Sequence, residues 1–226
     1  MSDVARLDLH VHSSYSPDSR LPLETIVSRL SYCGLRGFAL TDHNTVRGHG
    51  ALEALRSKYP GYLFLPGVEV STLEGHLLAY GVREPPPAHR PAAETVEWVR
   101  AHAGEAVLAH PFRWSHGVGR KVAESTPGSG IEVRNGHNSE IANLRAEDVA
   151  ARRNLGATGG SDAHVATDLG RAYTEFTPEV GSVDDLLEGL RRRATTADGR
   201  SMAIAGRVRL GLRGALLLAS RGFRPI

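Results

Sequence analysis

The feature that most constrains this chain is a recurrence: short apolar runs alternate with helix-like segments, and most runs end on histidine or a carboxylate just before a turn. The first run, Leu7-Asp8-Leu9-His10-Val11-His12-Ser13, alternates with strand period. Side chains at i and i+2 of a strand share a face, so His10 and His12 can hold one ion between them while Leu9 and Val11 turn the other way. Polar ends recur at Asp42-His43, Glu69, His76, His110, residues 135–137, and Asp162 with His164. If the runs are parallel strands of a barrel, their carboxyl ends converge on one mouth and bring these groups together.

In chain order, Ile26, Val27, Leu30 and Cys33 stand at helical spacing with Gly34 as a stop, which predicts a helix over 22–33. Residues 37–44 read as a buried strand with a polar tip, followed by a helix over 46–58 and a strand over 62–71. A turn at 72–75 leads to a strand at 76–82, and a hairpin there places Glu69 beside His76. Residues 84–92 hold four prolines and read as an extended strap. A helix at 93–103 and a strand at 106–111 precede a Gly-, Ser- and charge-rich loop, 114–129, expected to lie over the mouth. A strand at 130–133, a helix at 139–154 and a strand at 157–164 follow, the last with two glycines that allow a close backbone approach. Residues 173–176 could form a last strand, 183–193 an amphipathic helix and 208–220 a terminal one.

With 226 residues, 41% hydrophobic and 23% charged, the chain suits one well-buried domain over 1–226. The net charge is +2, yet residues 191–226 hold nine arginines against one acid, Asp198. Cys33 is the only cysteine, which excludes an intrachain disulfide and a thiolate-rich zinc site and points to a cytoplasmic setting. No apolar run approaches the length of a membrane span or a signal segment, so a soluble protein is expected.

The candidate ligands are His10, His12, Asp18, His43, Glu69, His76, His110, Asp162 and His164. One ion takes about four to six donors, so this set suits two or three divalent ions, with a carboxylate such as Glu69 bridging two of them. Nitrogen and oxygen donors without sulfur fit zinc, manganese or iron. Closely spaced divalent ions lower the pKa of water and clamp charge on a phosphoryl or carbonyl oxygen, so hydrolysis is the natural reaction class. Neither a G-x-S-x-G elbow nor a P-loop competes with it.

His10-Val11-His12 with Asp18, Thr41-Asp42-His43-Asn44, Gly67-Val68-Glu69 with His76, Ala109-His110-Pro111 and Ser161-Asp162-Ala163-His164 resemble the successive motifs of the polymerase and histidinol phosphatase (PHP) family. The match runs in order from residue 8 to about 176, and as a set it is specific. The resemblance implies an α/β fold, a distorted (β/α)7 barrel with a metal centre at the C-terminal mouth of its strands. Carried over by position, His10, His12, Glu69 and Asp162 would hold one ion, Glu69, His76 and His110 a second, and Asp18, His43 and His164 a third. Asp42 would orient its neighbours.

The resemblance further implies a metal-dependent phosphoesterase acting on a phosphomonoester, a nucleotide or an oligonucleotide end, in which a metal-activated hydroxide attacks phosphorus. Asp162 and His137 are the candidate catalytic groups; Arg113, Arg134, Asn135 and Arg171 are candidate substrate contacts, because a guanidinium matches two phosphate oxygens in fork geometry. Two departures from larger relatives stand out. Only twenty residues separate His110 from Ile131, too few for a lid domain, and the run after Ile131 ends in His137 where many relatives have arginine. A histidinol-phosphate-type phosphatase would differ only in its loops. A non-catalytic module binding nucleic acid or a partner through its basic end would be expected to lack some ligands.

The remaining features have plainer readings. His49, His89, His102 and His116 have no motif around them and read as solvent-facing; Trp98 reads as core, and Cys33 as packing on the apolar side of its helix. Trp114 reads as a loop anchor, with substrate stacking as the alternative. The arginine-rich segment 182–226 reads as a helical face docked on this protein or a second copy, with nucleic-acid binding as the runner-up.

Overall fold

The computed structural model describes residues 4–177 and 180–203, together with Gly206, Leu212 and Leu216. Its strands are β1 (Ala5–Val11), β2 (Gly37–Leu40), β3 (Leu63–Ser71), β4 (His76–Tyr80), β5 (Glu105–Leu108), β6 (Gly130–Asn135), β7 (Gly156–Gly160), β8 (Ala172–Phe176) and β9 (Thr195–Gly199). Its helices, among the described residues, are α1 (Leu23–Tyr32), α2 (His49–Lys58), α3 (Ala92–Ala101), α4 (Gly119–Ser125), α5 (Glu140–Arg153) and α6 (Val183–Arg191).

The nine strands among the described residues form one sheet in the order β7-β6-β5-β4-β3-β2-β1-β8-β9. β1, β2 and β3 pair in parallel, as do β5, β6 and β7, because a helix returns the chain between them. Between β3 and β4 the connection is the short turn 72–75, which permits only an antiparallel pair and sets Ser71 opposite His76. The sheet then curls back on itself. Asp162 N donates to His10 O at 2.7 Å and His12 N to Ala163 O at 3.1 Å, joining the exit of β7 to the exit of β1. Further down, β8 is wedged antiparallel against residues 5–7 of β1, and Thr174 Oγ1 bonds both Gly159 N and Gly159 O. The result is a distorted, nearly closed barrel of the kind the motifs imply. Closure is close enough that a Cβ on Gly160 would stand 2.3 Å from His10 Cβ, so glycine is required where β7 presses on β1.

Side chains alternate across the strands. Phe38, Leu40 and Phe64 pack outward on Ile26, Leu30, Leu52 and Leu55 of α1 and α2, while Val68 and Leu77 meet Val96, Val99 and Val149 of α3 and α5. Leu7, Leu9, Leu65, Leu78, Tyr80 and Val107 cluster with Leu186 and Leu190 of α6. Each such fully buried side chain stabilises by about 1.5–3 kcal/mol. Local signals close the helices: Ser139 Oγ accepts from Ala142 N at the start of α5, and Asn154 ends it in a left-handed turn.

Several expectations need correction. The stretch 114–129 is not all loop, since α4 forms within it as Val118 and Ala123 bury with Val122 half-covered. β9 was not anticipated; it is short and polar, and pairs only with β8. Cys33 is exposed, because α1 stops at Tyr32 and Cys33 becomes its cap. The terminal helix expected over 208–220 lies outside the described residues, save Leu212 and Leu216, which are helical and exposed. No helix among the described residues is long and apolar enough to cross a membrane.

Candidate metal centre

At the mouth the strand ends deliver their polar residues to one point, and that point is Glu69. Its Oε2 lies 3.2 Å from His10 Nε2, 3.1 Å from His12 Nε2 and 3.3 Å from His43 Nδ1. Its Oε1 lies 2.7 Å from His76 Nδ1 and 2.9 Å from His110 Nε2. Five imidazoles therefore surround one carboxylate that is itself buried. Asp162 Oδ1 stands 3.3 Å from His12 Nε2, 3.6 Å from His10 Nε2 and 3.7 Å from His164 Nδ1. Asp18 Oδ2 lies 2.8 Å from His164 Nε2 and 3.3 Å from His43 Nε2. All nine sequence-predicted donors are brought together. Four overlapping groups result: His10, His12, Glu69, Asp162; His12, Asp18, His43, His164; His43, Glu69, His76; and His137, Asp162, His164.

These residues fit a metal. Among the described residues, His10 Nε2, both ring nitrogens of His12, His43 Nδ1 and His110 Nδ1 are buried without a hydrogen-bond partner. Buried polar atoms are normally satisfied, and ring nitrogens that converge on carboxylate oxygens without hydrogen-bond geometry suit divalent ions. Electrostatics agrees. Burial pulls the His12 imidazolium down, but Asp162 and Glu69 outweigh it and carry the group to about 10. His10 is likewise raised well above its ordinary range by Asp162, Glu132 and Glu69 against burial, and Glu69 and Asp162 are held well below theirs, against burial, by the histidines around them and, for Asp162, by Arg113. His110 is pushed down to about 3 by burial and Arg113. Where a divalent cation is absent, protons on His10 and His12 balance the carboxylates.

Two of the candidate ligands carry an unusual backbone conformation. His110 and Asp162 both have positive φ, 27° and 57°, a region that non-glycine residues rarely adopt. Asp162 is held in it by the 2.7 Å bond from its N to His10 O.

A second ring of residues positions the first. Glu132, buried on β6, accepts from His110 N at 2.8 Å and Asn135 Nδ2 at 3.0 Å, and its Oε1 lies 2.9 Å from His10 Nδ1. With the proton on Nδ1, His10 presents Nε2 to the centre. Asp8 accepts from Ser161 N at 2.8 Å and Gly170 N at 3.2 Å, and burial raises its carboxyl to about 6. Asp42 accepts from Ser13 N and Oγ at 2.6 and 2.8 Å. Replacing Glu132 with Gln is expected to weaken metal affinity about 10- to 100-fold with the fold retained, measured by titration calorimetry with manganese or zinc.

The predicted substrate contacts divide. Arg113 bonds Asp162 Oδ2 and, at 2.7 Å, Asn135 Oδ1, with Nε donating to Asn138 Oδ1 at 3.2 Å. Asn135 and Arg113 thus stand at the centre. His137 is there too, its Nδ1 3.9 Å from Asp162 Oδ2 and its Nε2 3.1 Å from Asp168 Oδ2. Arg171 lies behind, 3.5 Å from Asp168 Oδ1. Arg134 is directed elsewhere: it pairs with Glu140 and Glu147 of α5, each at 2.7 Å. Of the histidines read as solvent-facing, His49 is half-buried and bonds Gly67 O at 2.9 Å, and His116, though exposed, stacks on His76. Trp98 is half-buried against the core, and Trp114 anchors nothing, being fully exposed. Glu132, Asp8 and Asp168 were not anticipated. Glu132 did leave a signal, a lone carboxylate inside the apolar run Gly130-Ile131-Glu132-Val133, where burial demands partners.

Fold and site together define a β/α barrel with a histidine- and carboxylate-rich centre fit for divalent ions. Residues 8–100 match the PHP domain and residues 140–195 the PHP-associated family. An uncharacterised protein of Methanocaldococcus jannaschii is 30% identical over 117 residues, 47% of this chain and 68% of that one. The chain belongs to the PHP family. Solved structures share the fold. PsfC from Pseudomonas syringae has a TM-score of 0.70 at 16% identity, covering 96% of this chain and 99% of that one. A protein from Bifidobacterium adolescentis described as a metal-dependent phosphoesterase has 0.63 at 17%, covering 89% and 98%. The lesion-specific endonuclease Q of Pyrococcus furiosus has 0.65 at 18%, with 84% of this chain but 56% of that one covered.

Proposed function

We propose that the chain hydrolyses a phosphate ester at this centre, with two or three ions of zinc, manganese or iron held by its nine donors. His10, His12, Glu69 and Asp162 would hold one ion, Glu69, His76 and His110 another, and Asp18, His43 and His164 a third. The observation that carries the reading is the gathering of three unpartnered ring nitrogens, His10 Nε2, His12 Nε2 and His43 Nδ1, about Glu69, with the Arg113 guanidinium against the adjoining Asp162. The described phosphoesterase and the endonuclease among the structural neighbours support a phosphoryl substrate.

When bound, such ions polarise phosphoryl oxygens and make water a stronger acid. The protein's own groups do the rest. Arg113, fixed through Nε and Nη2 by Asn138, Asn135 and Asp162, keeps Nη1 to donate to a non-bridging oxygen. Asp162 Oδ1 orients the attacking water. His137, held neutral by burial with Nε2–H donating to Asp168, has Nδ1 open to take a proton from that water and return it to the leaving oxygen. The test is phosphate release from phosphomonoesters, nucleotides and short oligonucleotides, with elemental analysis of the same preparation. Two or three ions per chain and turnover lost in His10→Ala is the expected result; an ion-free, folded protein refutes the reading.

A further inference from the structure

The loop after β5 carries Trp114, 101% exposed, the most exposed large hydrophobic side chain among the described residues. Tryptophan is highly buried on average, and an aromatic side chain typically covers about 150–250 Å² when it packs. Here the indole meets solvent on the loop whose flanking residues touch the centre. Its position is set from both sides by residues that lean on the candidate ligands. Arg113, immediately before it, bonds Asp162; His116, two residues on, stacks on His76 with ring centroids 4.8 Å apart and planes 13° apart. Consecutive Cα atoms stand about 3.8 Å apart, so the indole hangs on a span only four residues long between two contacts with the site.

The span has little freedom to fold the indole away. Arg113 N donates to His110 O at 2.9 Å, Gly119 N to Pro111 O at 2.9 Å, and His76 N to His116 O at 3.0 Å. At Gly117 a Cβ would lie 2.6 Å from Arg113 O, so the turn is tight enough to exclude a side chain. The loop is thus a fixed backbone support that carries one aromatic face in water, one residue along the chain from an arginine of the centre. Indole faces beside arginines suit planar bases, because every base has a π-face and stacking tolerates an open, shallow rim.

We propose that Trp114 is a specificity-determining residue whose indole stacks on the nucleobase of a nucleotide, or of the terminal nucleoside of an oligonucleotide, while the phosphate lies at the centre. The inference rests on the phosphate-ester reading and narrows its substrate class. The other occupant of an exposed indole, a second copy of this chain, is an outcome of the test.

The test compares hydrolysis of adenosine monophosphate and ribose phosphate by the metal-loaded full chain, by Trp114→Ala and by Trp114→Phe. The preference for the base-bearing ester, as a ratio of kcat/KM, is expected to fall about tenfold in the alanine variant through KM and to recover in the phenylalanine one, within the range of base–aromatic stacking. Adenosine, which has no phosphate, is expected to quench the indole fluorescence of the parent and not that of Trp114→Phe, in which Trp98 remains. Turnover of both esters with an unchanged ratio overturns the inference and leaves the hydrolase standing. If neither ester is turned over, the adenosine titration decides: quenching supports the stacking face, and its absence overturns it. Loss of a dimer in Trp114→Ala on sedimentation, with no quenching by adenosine, assigns the indole to a second copy and overturns the inference.

Discussion

Replacing Glu69 by Gln is expected to strip the centre of metal and reduce hydrolysis by about a thousandfold or more, roughly 4 kcal/mol of barrier. Both Glu69 oxygens are engaged, facing five ring nitrogens at 2.7–3.3 Å. An amide at this position turns one acceptor into a donor and removes the negative charge that two groups of ligands share. The imidazoles respond as well. Without the carboxylate, His10 and His12 each lose one of the groups that raise them against burial and keep Asp162 as another. Elemental analysis and phosphate release check the result. Glu53→Gln is the control, since Glu53 pairs with Arg56 on the solvent face of α2 and its side chain is 69% exposed. Metal retained at the parent level in Glu69→Gln would mean that this carboxylate orders histidines without binding.

What could be seen in the sequence follows from which residues obey a simple period. His10 and His12 were legible because strand side chains alternate, and Glu69 beside His76 was legible because a four-residue turn leaves only a hairpin. Asp18 lies in a loop with no period and stood on the family resemblance alone; in the fold Ser16 Oγ, at 2.7 Å, steadies it. Arg134 shows where the period breaks. A regular β6 would put it on the face of Glu132, toward the centre, but the pairing with β7 shifts register between Glu132 and Arg134, and the guanidinium turns to Glu140 and Glu147 on α5. His116 has no motif, and its stack on His76 arises because two loops far apart in sequence meet at His116 O. Glu132 and Asp168 act through other side chains, a role that depends on three-dimensional neighbours and leaves only a misplaced charge as its trace.

After chelation, the protein is expected to lose stability as pH rises through the alkaline range, and restoring metal is expected to remove that loss. The direction follows from His12, fully buried and carried to about 10 by Asp162 and Glu69 against burial. A cation favoured in the folded state adds its whole contribution below the unfolded value of about 6.5, and that contribution drains away as pH climbs to the folded value. For His12 alone the ceiling is roughly 5 kcal/mol between those limits, and His10 adds a loss of the same sign. Glu69 and Asp162 do not oppose it there, because their depressed values confine their loss to strongly acid solution. Asp8, raised by burial to about 6, contributes a decline of the same sign but one complete near neutrality. Metal reverses the dependence, since an ion takes unprotonated imidazole and binds more tightly as protons leave. Thermal melts of chelated and manganese-loaded protein should therefore diverge from about neutral pH upward. Parallel curves would mean that the carboxylates do not hold protons on these imidazoles, and the pairing around Glu69 would have to be redrawn.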